Sequence, residues 1–312
     1  MRHQLTVSVG ETPKRLDRYL VSHERDLSRA RVQRLIRLGR VQVNGRRTKA
    51  AHRVRGGDCI TFESPPAGPL MRNGAPQFLE ILHEDEELLV INKPADVAMH
   101  PGSGHWSGTI LNALLYYLAN TSTNQGALPG LVHRLDKGTS GVLAVAKTLS
   151  AHRTLSCAFS QHRIDREYHA LVYRVPAALE GMIDRPLGRH RVHTFLVSTE
   201  TDHPVRATTT FTILKSFGQT ASLLKLRPLT GRTHQLRAHL SWLGHPILGD
   251  ARYPYPAACP PIPVPTSRLM LHASVLVLPH PKTGVYHRYE SPLPAEMREA
   301  LNFLGRGHVS WG

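Results

Sequence analysis

Residues 63–77, ESPPAGPLMRNGAPQ, hold four prolines and two glycines. Proline lacks an amide hydrogen and fixes φ, while glycine loses the most backbone entropy on ordering. A stretch this rich in both suits neither a helix interior nor a central strand. It reads as a linker. The 312-residue chain then divides into a small domain over 13–64, a linker over 65–77 and a large domain over 78–312. The large part is long enough to bury a proper core.

Charge separates the two parts as sharply as the linker does. The formal net charge is +16. Between Lys14 and Arg55 there are 14 Lys and Arg but only three acids, Asp17, Glu24 and Asp26, so this segment carries +11 of the total. Charge concentrated in this way implies a polyanionic partner. In LSRARVQRLIRLGRVQVNG, Ser28 reads as an N-cap. Val32, Leu35 and Ile36 recur at helical spacing, and Arg31, Arg34 and Arg37 form a second stripe at steps of three. Gly39 can close the helix in the left-handed conformation. VQVNG reads as a short strand ending in an Asn-Gly turn, and GGDCITF as the last strand of a small α/β unit.

Other features exclude classes of function. Cys59, Cys157 and Cys259 are far apart and show no CxxC spacing, and the 20 histidines include no HExxH. Neither a disulfide framework nor a metal centre is expected. The opening residues lack the apolar core of a secretory signal, and no apolar run is long enough for a bilayer. The expectation is a cytoplasmic protein without a membrane partner, acting as a monomer.

The large domain alternates strand-like runs (LLVINKP, GVLAVAK, REYHALVYRV, ATTTFTIL, SLLKLRPL, LMLHASVLVL) with helical segments (TILNALLYYL, SAHRTLSCAFSQHR, THQLRAHLSWLG). Most of the spacing is too short for βαβ units. The fold class expected is α+β: a largely antiparallel mixed sheet with flanking helices, plus the small N-terminal α/β domain.

Three stretches stand out chemically. HRLDKGTSG, residues 133–141, places Asp136 between Arg134 and Lys137 on a turn with a buried strand on each side. Neighbouring cations favour an ionised carboxylate, which suits a nucleophile or an anion that steadies developing positive charge. Capping the turn is the simpler role for such a residue. TGRTHQLRAH, residues 230–239, gathers Arg232, His234, Gln235, Arg237 and His239 at a turn entering a helix, a pattern suited to phosphate or carboxylate. REYHALV, residues 166–172, sets Tyr168 among charges on a strand.

In this order the three stretches resemble the signature of the bacterial large-subunit rRNA type of pseudouridine synthase. INKPADVAMHPG, GTILNALL, LGHPILGDARY and LMLHASVLVLPHPKTG extend that resemblance over nearly the whole chain. The small domain resembles the RNA-binding domain shared with small-subunit ribosomal protein four. The resemblance implies an enzyme that isomerises uridine in RNA, most often rRNA with tRNA second, without cofactor or metal. It makes Asp136 the catalytic aspartate, lets Tyr168 stack on the extruded uracil, pairs Arg237 with Asp136 and sends Arg134 into the gap left by the base. His133, Lys137, Arg232, His234 and Gln235 are the expected RNA contacts of the large domain. Ser28, Arg29, Arg31, Arg34 and Arg37 are those of the small one.

The sequence departs from the family pattern at Asp96, where glycine is usual, and it lacks a Lys-Met pair common before ATTTF. Two other classes remain open at this stage. A nucleoside or glycoside hydrolase needs a second carboxylate, for which Asp165, Glu167 and Asp250 are available. A non-catalytic RNA-binding or ribosome-assembly protein would account for the basic domain alone.

Overall fold

A computed structural model describes residues 2–24, 29–63, 79–101, 107–121, 129–193, 196–254, 262, 264 and 268–306. The chain forms two compact units, Met1–Leu70 and Met71–Gly312. The Pro/Gly linker and Ser28 lie outside the described residues, as do the side chains of Arg29, Arg31 and Arg34.

The small unit contains β1 (Arg2–Thr6), β2 (Lys14–Arg15), α1 (Leu16–His23), α2 (Arg29–Arg37), β3 (Val41–Val43), β4 (Arg46–Arg47), β5 (Arg53–Val54) and β6 (Cys59–Glu63). Leu16, Tyr19 and Leu20 of α1 meet Val32, Leu35 and Ile36 of α2 over Val41, Ile60 and Phe62. The helical stripes read from the sequence thus face one core. Asn44 and Gly45 turn at φ 50° and 74°, the left-handed pair that a two-residue hairpin demands. Gly39, at φ 69°, follows α2. The unit begins before residue 13, because β1 pairs antiparallel with β6 from Arg2↔Glu63 to Thr6↔Cys59. RHQLT carries too few apolar residues to mark itself as a strand; its partner supplies the ladder.

The large unit holds β7 (Glu80–Glu84), β8 (Leu88–Lys93), α3 (Ile110–Asn120), β9 (Gly130–Leu131), β10 (Ser140–Ala146), α4 (Leu149–Ser160) and β11 (Asp165–Tyr173). It continues with β12 (Glu180–Asp184), β13 (Gly188–Arg189), β14 (Val197–Ser198), β15 (Thr208–Phe217), β16 (Ala221–Pro228) and α5 (Gln235–Trp242). The last elements are β17 (Leu271–Pro279), β18 (Tyr286–Glu290) and α6 (Ala295–Gly305). One sheet runs β12-β15-β16-β11-β17-β10-β8-β7, with β18 beside β17 and β9 beside β10. β10 and β17 are parallel; the other ladders of this sheet among the described residues are antiparallel.

SGVLAVA is apolar on both faces because β10 is covered on both. Val142, Ala144 and Ala146 pack on Ala151, Leu155 and Ala158 of α4. Leu143 and Val145 pack on Ile110 and Leu114 of α3. Thr109 and Asn112 form a capping box at the start of α3, and Thr148 caps α4 through the Ala151 amide at 3.0 Å. Across the sheet, Leu236 and Leu240 of α5 and Met297, Ala300 and Leu304 of α6 share a core with Ala170–Tyr173 of β11. Asp96 sits at φ 62°. The position where the family carries glycine is therefore left-handed here too, and aspartate is among the residues that tolerate it.

The parallel contact between β10 and β17 is only two residues long, Ser140↔His272 and Gly141↔Ala273. β18 then takes over as β17's neighbour on that side, from Val275↔Glu290 onward. The two strands touch at Gly141, whose φ is 116° and where a Cβ would stand 2.1 Å from the Ala273 carbonyl oxygen. Gly141→Ala is expected to destabilise the protein by about 3 kcal/mol or more through clash and backbone strain. The measurement is the urea midpoint; an unchanged midpoint would mean that the strands can part there without cost.

Candidate active site

Asp136 lies between β9 and β10, on a turn closed by the Thr139 amide donating to the Asp136 carbonyl at 3.1 Å. The turn rests on buried cations. Lys93 Nζ donates to the carbonyls of Pro94 at 2.8 Å, Lys137 at 3.1 Å and Thr139 at 2.8 Å. Burial draws its pKa down to about 7, helped by Arg268 and opposed by Asp96 and Asp136. The three carbonyl acceptors favour the ammonium, so we take Lys93 as charged in its place beneath the turn. Arg268 Nη2 donates to Ser140 Oγ at 2.8 Å and to the Leu271 carbonyl at 3.1 Å.

Ser140 Oγ is 2.8 Å from His272 Nδ1, and His272 Nε2 is 3.2 Å from the Ser291 carbonyl. A carbonyl only accepts, so Nε2 carries the ring hydrogen and the Ser140 hydroxyl donates to Nδ1. Burial pulls His272 down to about 4.

His133 has a different task from the RNA contact expected of it. β9 pairs with β10 only at Leu131 and Gly130. The chain then leaves the ladder, and His133 Nε2 accepts the next free β10 amide, Ala144 N–H, at 2.9 Å. The ring stacks on Phe159 at 4.6 Å. Burial, then Arg166, pushes its pKa to about 3. Gln235 is also taken up by the frame. Its carbonyl accepts from Thr230 Oγ1 at 2.7 Å and the Arg232 amide at 3.0 Å, and its amide donates to the Thr208 carbonyl and Thr209 Oγ1, both at 3.0 Å. All its hydrogen-bonding capacity is spent inside the fold.

Arg237 meets Asp136. Its Nη1 donates to Asp136 Oδ2 at 3.1 Å, while Nε and Nη2 both donate to Asp250, at 2.7 Å each. Asp250 also accepts the amides of Arg252 at 2.9 Å and Tyr253 at 3.2 Å. It is an anchor for the guanidinium, not the second acid that hydrolysis would need. His234 Nε2 stands 3.9 Å from the same Asp136 oxygen. The cations flanking Asp136 in sequence, Arg134 and Lys137, are exposed.

Asp136, Arg237 and His234 line a cavity of about 470 Å³ with Tyr168, Arg134, Arg166, Arg232 and His162. Tyr168 reaches it because β11 shifts register against β17 between Glu167 and Tyr168, a bulge that re-aims the side chain. Burial raises the phenol above its usual value, and the Asp136 charge adds to this against Arg166. Arg166 Nη2 braces the loop entering α5 through the carbonyls of Pro228 at 3.3 Å and Thr230 at 3.2 Å. Arg37 is exposed on α2 of the other unit. Among the described residues no cluster of His, Cys, Asp or Glu is arranged to hold a metal, and no helix is long and apolar enough to cross a membrane.

One acid held by an arginine thus lies beside an aromatic and among cations on the cavity wall. Comparison with known proteins gives the class. Residues 87–242 match the RNA pseudouridylate synthase family and residues 14–60 match the S4 domain. An uncharacterized RNA pseudouridine synthase, YlyB, of Bacillus subtilis is 36% identical over 301 residues, covering 96% of this chain and 97% of its own. Ribosomal large subunit pseudouridine synthase D of Zymomonas mobilis is 38% identical with the same coverage. The structure of human RNA pseudouridylate synthase domain containing 4 superposes with a TM-score of 0.60 at 28% identity, over 72% of this chain and 93% of that one. The chain belongs to the RNA pseudouridylate synthase family, and it is an enzyme that isomerises uridine in RNA.

Two expectations follow from the geometry. Asp250→Asn keeps the shape but removes the charge that orients Arg237, so turnover should fall at least about tenfold with RNA affinity little changed. Single-turnover rates beside equilibrium binding decide this; unchanged turnover would remove Asp250 from the site's support. The second concerns acid stability. His272 has a folded pKa of about 4 against 6.5 unfolded, so the unfolded chain binds its proton first as pH falls. Stability present above about pH 6.5 is lost on the way to about pH 4, on the order of 3 kcal/mol for this ring. His133 extends the loss toward about pH 3. His272→Gln should flatten the dependence of the urea midpoint on pH in this window; equal slopes would show the ring charged in the fold.

Proposed function

We propose that Asp136 is the catalytic carboxylate and that the substrate is large-subunit ribosomal RNA. The observation that carries the reading is Arg237 set between Asp250 and Asp136 on the wall of the cavity. The names of the relatives support the choice of RNA, and tRNA is second. The exposed Arg134, Lys137 and Arg232 suit phosphates and the space vacated by a flipped nucleotide. The reading needs no cofactor, and it describes a monomer working in the cytoplasm.

A uridine stacked in RNA cannot reach such a cavity, so it must leave the stack at a cost of a few kcal/mol. Stacking on Tyr168 offsets about 1–3 kcal/mol of that. The bond from ribose carbon 1′ to uracil nitrogen 1 then breaks, the base turns, and carbon 5 joins carbon 1′. Asp136 can attack carbon 1′, add to the ring or take the 2′ hydrogen, and all three routes use its anion.

Asp136→Asn keeps size and loses charge. It should abolish release of tritium from RNA labelled at uracil carbon 5 while leaving RNA binding nearly intact. Turnover within about tenfold of wild type would take Asp136 out of the mechanism. The small unit should supply affinity. Replacing Arg31, Arg34 and Arg37 by Ala should lower the log–log salt slope of binding by roughly 0.7–0.9 per lost phosphate contact, with saturated single-turnover chemistry little changed. An unaltered slope would leave the stripe as a solvated face.

A further inference from the structure

The cations of the cavity wall continue outward from Arg232. Its Nε donates to the Arg206 carbonyl at 3.1 Å. Residues 205–207 lie antiparallel beside 185–187. The Arg185 amide donates to the Ala207 carbonyl at 3.2 Å, and Leu187 and Val205 exchange two bonds of 2.9 Å. The Arg185 guanidinium then rests on the Trp242 ring, 4.6 Å from its centroid. Hydrogen bonds and one stacked pair thus connect the cavity wall, through Arg206 and Arg185, to Trp242.

This strip differs from an ordinary charged face. Arg185, Arg206 and Arg232 are all exposed, and no acid among the described residues pairs with any of them. Asp184, next to Arg185 in sequence, accepts the Thr208 hydroxyl at 2.7 Å instead. Trp242 is 45% exposed. A lone exposed apolar side chain is common, but an indole has one of the largest apolar areas to leave in water. A cation–π contact between two exposed groups adds little stability in return. The strip is nevertheless held firmly. The buried His239 donates from Nε2 to the Arg185 carbonyl at 2.9 Å, so its Nδ1 accepts the Thr209 hydroxyl, also at 2.9 Å. Thr209 in turn accepts from Gln235 at the start of α5. His239, grouped in sequence with the basic residues of the turn, is an internal strut that fixes where Arg185 stands.

We propose that the RNA strand beside the target uridine leaves the cavity along these arginines, with phosphates on Arg232, Arg206 and Arg185, and that a flanking base stacks on Trp242. The proposal rests on the RNA substrate of this enzyme and says where that RNA lies. The reach fits. Trp242 is five residues beyond Arg237 on α5, about 7.5 Å along its axis, which is roughly two stacked nucleotides at about 3.4 Å each. The chemistry fits as well. A guanidinium fork takes a phosphate as a bidentate partner. An indole stacks on any base. A guanidinium lying on that indole draws in the phosphate next to the stacked base. Such contacts read little sequence, so the strip supplies affinity and a direction for the strand.

The test uses the full-length protein labelled with 5-fluorotryptophan. The fluorine resonance missing from Trp242→Phe is that of Trp242. A transcript of large-subunit rRNA should shift it to saturation, while inorganic polyphosphate, which carries charge without bases, should leave it in place. An equal shift with polyphosphate, or no shift with RNA that the enzyme binds, overturns the stacking role. A shift that follows protein concentration with no RNA present assigns the indole to a contact between copies of the chain and overturns the proposal too. Trp242→Ala should weaken binding of the transcript about tenfold, with Trp242→Phe within about threefold of wild type. Arg185→Gln and Arg206→Gln alter only exposed side chains. Each should lower the log–log salt slope of binding by roughly 0.7–0.9, and unchanged slopes overturn the path. A wild-type protein that neither binds the transcript nor releases its carbon-5 tritium overturns the large-subunit rRNA reading instead, and a tRNA transcript then serves as the probe in the same titration.

Discussion

A guanidinium buried between two carboxylates organises the large unit's chemistry. Arg237 is 8% exposed and Asp250 7%. Breaking such a pair strands a charge in a poor solvent, which costs several kcal/mol, so the geometry is held tightly. The fork gives two nitrogens to Asp250 and one to Asp136. The bidentate pair is the stronger and the more directional. Asp250 therefore fixes the arginine, and Asp136 receives one aimed donor while staying open to the cavity. A helix (α5), the loop after it and the turn before β10 are brought to one point by this charge balance.

The sheet places that point. β17 has β10 as its neighbour for two residues and β18 afterwards. The sheet splits after that contact, and the turn carrying Asp136 leads into β10 just before it. A turn in such a place has many backbone carbonyls and few backbone donors nearby. Lys93 and Arg268 supply the donors from below. The same cations hold the backbone of the turn, while the Asp136 side chain lines the cavity.

Much of this was legible in the sequence, and the exceptions have a common cause. The apolar runs of β8, β10 and β17 announced themselves because both faces of each strand are covered, and that of α3 because its buried stripe packs on β10. Asp136, Tyr168 and Arg237 were identified from their local patterns and do line one cavity. β1, β12 and β18 escaped because short or edge elements carry few apolar residues and take their order from a partner, whereas α6 was missed although Met297, Ala300 and Leu304 recur at helical spacing. YHRYE of β18 is mostly exposed. His133 and Gln235 looked like RNA contacts because polar residues in a basic motif suggest a ligand. Their partners are backbone groups and, for Gln235, also the hydroxyls of Thr230 and Thr209, pairings that leave no trace in composition. Asp250 is the instructive case. As a lone acid it was one of three candidates for a second catalytic group, and only the position of Arg237 shows that its four hydrogen bonds are structural.

The exposed and the buried charges also differ in how they respond to salt. The charge of the segment from Lys14 to Arg55 sits on a small domain whose arginine Arg37 is exposed. Attraction between exposed charges and phosphates is screened by salt over about 8–10 Å. The contacts among Asp136, Arg237 and Asp250 are short and shielded by protein, where added salt has little effect. Ionic strength therefore acts on the exposed charges and spares the buried ones. A chain built this way can change its surface arginines without disturbing the buried charges that hold Asp136.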